Sequence, residues 1–63
     1  MTASRFTLDQ LAGNLELTVT EHADHLAILR RVGKRSPEEL GIKEIRLAML
    51  RETAVLFRAQ VSA

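Results

Sequence analysis

The chain has 63 residues and a net charge of +1, with 46% apolar and 27% charged residues. Its length allows one small folded domain, residues 1–63, and its apolar share is too high for a disordered chain. It contains no cysteine, which excludes disulfides and thiolate metal sites. The N-terminal residues lack the apolar core of a signal peptide. The longest apolar runs, such as residues 54–57, have four residues and are too short to span a membrane, so we expect a cytoplasmic protein.

The first predicted element is a helix that begins after Thr7. The segment Thr7-Leu8-Asp9-Gln10 matches a capping box, in which the threonine hydroxyl and the glutamine side chain each accept a backbone N–H of the first turn. Helix-forming residues dominate the composition, with ten Leu and eight Ala, and favour an all-α fold. The sequence therefore predicts a helix from residue 8.

A second start signal lies inside the same stretch. Thr18-Val19-Thr20-Glu21 also matches a capping box, and together with Gly13 and the β-branched run it favours two helices, at about 8–16 and 19–32. The alternative is one continuous helix over 8–32. It is supported by a stripe with three- and four-residue spacing along the whole segment, formed by Leu8, Leu11, Leu15, Val19, His22, Leu26 and Leu29. We predict the broken form.

The last predicted helix spans about 37–60. Ser36-Pro37-Glu38-Glu39 combines a capping residue, a proline at the first helical position and two carboxylates near the positive end of the helix dipole. Gly33 is well placed as the left-handed residue that ends the preceding helix. The predicted architecture is thus a small all-α domain of two or three helices.

This last helix is apolar on two faces, and each face needs a cover. One neighbouring segment can cover one face, so we expect a second copy of the chain on the other, which gives a helical-bundle homodimer. The predicted core and interface residues on the two faces are Ile42, Ile45, Leu47, Met49, Leu50, Leu56 and Phe57.

Charge is distributed unevenly along the chain. Residues 1–29 carry Arg5 against four carboxylates, whereas residues 30–63 carry eight Arg or Lys against four Glu. A basic cluster between the last two helices could contact nucleic acid or an acidic protein surface. An exposed turn with cations at a helix C-terminus is the simpler interpretation. The cluster consists of Arg30, Arg31, Lys34 and Arg35.

Residues 7–33 resemble the helix-turn-helix segment of bacterial transcription regulators of the ArsR and MarR kind. The resemblance rests on the pattern Leu11-Ala12, Leu15, Leu17-Thr18, His25-Leu26, Leu29-Arg30 and Gly33. It implies DNA binding by residues 18–35, with the basic cluster on phosphates. The positions that would meet base edges include Glu21 and Asp24, and carboxylates there repel phosphates.

Two histidines one helical turn apart, His22 and His25, could bind a metal together with Glu21 or Asp24. No other histidine is present, so we favour an ordinary helix face and expect no cofactor. Nucleophile motifs and phosphate-binding loops are absent from the sequence, which predicts a non-enzymatic protein without a small-molecule substrate. The function that we expect is regulatory or adaptor-like, exercised by binding another protein, with DNA binding as the alternative.

Overall fold

A computed structural model describes residues 4–63 as a hairpin of two helices. Helix α1 spans Leu8–Val32 and helix α2 spans Pro37–Val61. Each has 25 residues, about 37 Å at the usual rise per residue, and the hairpin is 44 Å long. Contacts between opposite ends of the two helices show that they are antiparallel. The all-α prediction is confirmed for this part of the chain.

The helix ends follow the predicted capping chemistry. Thr7 Oγ1 accepts a hydrogen bond from the Gln10 backbone N–H at 3.0 Å, and Gln10 Oε1 accepts one from the Thr7 N–H at 2.9 Å. Ser36 Oγ accepts from the Glu39 N–H at 3.2 Å, and Pro37 occupies the first position of α2. Gly33 ends α1 in the left-handed conformation, with φ 73° and ψ 20°. These local signals are therefore confirmed.

The predicted break near residues 16–19 is wrong, because α1 is continuous from Leu8 to Val32. The threonines that suggested a cap bond instead to the helix that precedes them. Thr18 Oγ1 donates to the Asn14 carbonyl at 2.9 Å, and Thr20 Oγ1 donates to the Glu16 carbonyl at 3.3 Å. Such bonds keep a β-branched hydroxyl compatible with a helix interior. Packing along the whole length of α2 outweighs the small propensity penalties.

The core lies along the line where the two helices meet. It consists of two alanines and two leucines, one of each on either helix, and each less than a tenth exposed: Ala12, Leu26, Leu47 and Ala54. Leu50 and Phe57 are half-buried. The other predicted core and interface residues are exposed, namely Ile42, Ile45, Met49 and Leu56. Among residues 4–63, neither helix has the length and apolar character needed to cross a membrane.

Candidate interaction surfaces

One face of α2 carries an apolar stripe that the hairpin leaves uncovered. Its members are 55–64% exposed, and we call them the α2 stripe: Ile42, Ile45, Met49 and Leu56. Successive members are three, four and seven residues apart, the spacing of a and d positions in a heptad repeat. Leu47 and Ala54, which are buried against α1, lie on the opposite side of the helix. The stripe therefore points away from α1.

The outward face of α1 has a different character. Leu17 and Ile28 are both more than half exposed, but they are eleven residues apart, with Glu21 and Asp24 between them on the same side of the helix. Scattered exposed apolar residues are normal on a protein surface. Of the outward faces in the described hairpin, that of α2 thus offers the longer apolar strip.

Some residues of the basic cluster predicted at the end of α1 form ion pairs in the structure and others do not. Arg30 forms an ion pair with Glu44 of α2, and Arg35 Nη1 lies 3.2 Å from Glu39 Oε2 one turn later. Arg31 and Lys34 are exposed, and no ion pair is found for either within residues 4–63. The cationic groups left for an external partner are therefore fewer than the sequence indicated.

An ion cluster near the open end of the hairpin joins the two helices. Arg58 Nε and Nη2 donate to the two carboxylate oxygens of Glu16 at 2.9 and 2.8 Å, and Nη1 donates to Asp9 Oδ1 at 2.5 Å. The hydrogen bond from Arg58 lowers the pKa of Glu16, and the bonds to Glu16 and Asp9 raise the pKa of Arg58. Sequence reasoning missed this cluster, because Arg58 is 42 residues from Glu16 and 49 residues from Asp9.

The two histidines line one shallow cleft between α1 and α2. The cleft has a volume of about 240 Å³, and its lining also includes Lys43 and Arg46. His22 Nδ1 lies 3.1 Å from the Thr18 carbonyl and donates to it, since a carbonyl can only accept. Residues 4–63 contain no group of three or more His, Asp or Glu that could hold a metal ion.

Comparison of the chain with protein families, with characterised proteins and with solved structures found no match. The resemblance to helix-turn-helix regulators therefore rests on the local pattern alone. Residues 15–18, where that pattern places the turn, are helical and lie inside α1. The recognition helix that the resemblance implies is thus the second half of a single helix.

Proposed function

We propose that this chain is a small non-enzymatic regulatory or adaptor protein that self-associates through α2 and acts by binding another protein. The observation that carries the proposal is the α2 stripe. A strip of large apolar side chains at heptad spacing is what one helix presents to another in a coiled coil or a bundle.

The exposed area of the hairpin supports a second copy as the occupant of the stripe. The chain exposes 5290 Å², whereas a folded monomer of 7.0 kDa is expected to expose about 4,000 Å². Stable interfaces remove roughly 800 Å² from each partner. The excess of the hairpin over a compact monomer, about 1,300 Å², is larger than the area that one such interface would remove.

The spacing of the residues in the α2 stripe is also compatible with a two-fold symmetric dimer. Ile42 and Leu56 each lie seven residues from Met49, one on either side of it. An antiparallel pairing of two α2 helices centred on Met49 would place Ile42 opposite Leu56 of the second copy and the two methionines beside each other. The same patch then serves both subunits, as an isologous interface requires.

Binding of another protein would use surfaces that this pairing leaves open. The turn end of the hairpin presents Arg31 and Lys34, and the outward side of α1 presents Leu17 and Ile28, all of them exposed. Glu21 and Asp24 lie between Leu17 and Ile28, so the fitting partner carries acidic groups opposite Arg31 and Lys34 and basic groups opposite these two carboxylates. Partner recognition and self-association would then occupy different faces.

Sedimentation equilibrium with charged substitutions tests the self-association. Ile45→Asp and Met49→Asp place a carboxylate in the α2 stripe, and we expect each to reduce a dimer to a monomer that remains helical by circular dichroism. The matched control is Leu17→Asp, which introduces the same charge at a site of similar exposure on α1 and should leave the mass unchanged. A wild-type chain with monomeric mass at high concentration would refute the proposal.

The alternative is a DNA-binding regulator that uses residues 18–35. The observation in its favour is the pair of exposed cations, Arg31 and Lys34, beside the C-terminus of α1. An NMR titration with mixed-sequence duplex DNA at low and moderate salt separates the two functions. Shifts confined to residues 18–35 that weaken with salt and with neutralisation of both cations would favour the DNA-binding function; the adaptor function predicts no such shifts.

A further inference from the structure

The cleft between the helices collects positive charge without a carboxylate in its lining. His22 and His25 come from α1, and Lys43 and Arg46 come from α2. The rest of the lining is apolar and forms the floor, consisting of Leu26, Leu47 and Leu50. We call this site the basic cleft. Its two sides come from different helices, so only the folded hairpin assembles it.

The carboxylates close to the basic cleft in sequence do not neutralise it. Glu44, which is adjacent to Lys43, is paired with Arg30, and Asp24, which is adjacent to His25, forms no ion pair with it within residues 4–63. Glu39, one turn before Lys43, is paired with Arg35. Glu21 lies one turn before His25, yet within residues 4–63 no ion pair joins the two. Lys43 and Arg46 likewise form no ion pair with a described carboxylate. The cationic groups of the cleft thus remain available to an external anion.

The positive charges of Lys43 and Arg46 favour an anion over a metal ion as the ligand of the basic cleft. A divalent cation at the histidines would be repelled by Lys43 and Arg46, which line the same cleft, and it would have too few ligands. An oxyanion is attracted by Lys43 and Arg46, and an arginine can hold it through two parallel N–H donors. The apolar floor favours a ligand with an apolar body as well as a charge.

We propose that the basic cleft binds a small amphipathic anion, with its oxyanion on Lys43 and Arg46 and its apolar body on the leucine floor beside the two histidines. The volume of about 240 Å³ is below the range of pockets that hold drug-sized ligands, so the ligand is a compact one. This inference does not depend on the α2 stripe, since the cleft lies between the two helices of one chain.

The test is an NMR titration of the full chain with 2-naphthoate. We expect saturable shifts at the residues that line the cleft. Naphthalene-2-carboxamide, which lacks the charge, and acetate, which lacks the apolar body, should both bind more weakly. Because exposed charge pairs contribute about 0.2–1 kcal/mol each, Arg46→Gln or Lys43→Gln should weaken 2-naphthoate binding by up to about fivefold.

Arg51→Gln is the matched control, because it removes the same charge from the same helix but lies outside the lining of the cleft. It should bind 2-naphthoate as the wild-type chain does. If Arg51→Gln and Arg46→Gln weakened 2-naphthoate binding equally, the effect would come from the net charge of the chain and the proposal would be overturned. Equal binding of the carboxamide, or of acetate, would also overturn it.

Discussion

At the scale of single residues, the hairpin is defined by short-range capping. The two helix starts and the glycine that ends α1 each satisfy backbone groups that the first and last turns leave without partners. Gly33 is the residue with positive φ within the described chain, at 73°, and its N–H donates to the Leu29 carbonyl at 3.1 Å. A Cβ at Gly33 would meet no atom within 4 Å. Glycine is therefore favoured at this position only because the backbone there is left-handed.

Replacing two glycines by alanine should change stability in opposite directions. Gly33→Ala should lower the free energy of unfolding by about 1–2 kcal/mol, because an L side chain disfavours the left-handed conformation. Gly13→Ala, at a helical site where a Cβ also meets nothing within 4 Å, should raise it by about 0.5–1 kcal/mol. Urea denaturation at one protein concentration measures both. A change of the same sign in the two variants would contradict this explanation.

At the scale of the elements, the two helices are joined by a thin apolar seam and by ion pairs at its edge. The alanines in the seam allow the helix backbones to approach closely, which suits a contact with few large side chains. At the open end, Arg58 of α2 holds Glu16 and Asp9 of α1. At the turn end, Arg30 of α1 pairs with Glu44 of α2. These pairs match opposite charges across the antiparallel hairpin, whose direction follows from the short turn between Val32 and Pro37.

The Glu16–Arg58 contact predicts a pH dependence of stability. The pKa of Glu16 in the folded chain is lowered from its ordinary value of 4.5 by the hydrogen bond from Arg58. Its contribution is therefore present above about pH 4.5 and is lost as the pH falls through the lower folded-state pKa. Glu16→Gln should be less stable than wild type at pH 7 and should lose less stability over that acid range.

Thermal unfolding followed by circular dichroism between pH 7 and pH 2 measures this difference. Glu21→Gln is the control, because Glu21 is an exposed carboxylate of the same helix for which no ion pair is found in the described hairpin. Its acid profile should follow that of the wild type. Parallel profiles for Glu16→Gln and the wild type would show that the contact with Arg58 does not stabilise the fold.

At the scale of the whole molecule, the hairpin is long and has little interior. Its radius of gyration is 14.7 Å, whereas a compact domain of this length is expected to have about 10.6 Å. Four apolar residues are buried among residues 4–63, and chains this short commonly need a disulfide, a metal or self-association to be stable. We therefore expect association and stability to be linked in this protein.

The linkage predicts that Tm depends on protein concentration. Mass action stabilises a folded dimer relative to unfolded monomers, so Tm should rise by several degrees over about a 100-fold range of concentration. Ile45→Asp should remove this dependence and lower Tm towards the value of the isolated hairpin. Differential scanning calorimetry of both chains over that range makes the measurement. A wild-type Tm that does not change with concentration would argue against association in the folded state.

The features that the sequence by itself determined are the local ones. The capping box at Thr7, the proline start at Ser36-Pro37 and the left-handed Gly33 all depend on residues within about one helical turn of each other, and each is found as predicted. The two apolar faces of α2 could also be read from spacing, because a helix has a fixed periodicity.

The tertiary structure decided the features that depend on distant residues. Thr18-Val19-Thr20 had the local chemistry of a helix start, yet contact with α2 keeps α1 continuous there, since packing of a whole face outweighs a local preference. The register of the hairpin determines which stripe of α2 is buried and which basic residues are paired. It also determines which charges meet in the basic cleft. That register brings together residues such as Arg58 and Asp9, which are 49 residues apart and which no local pattern connects.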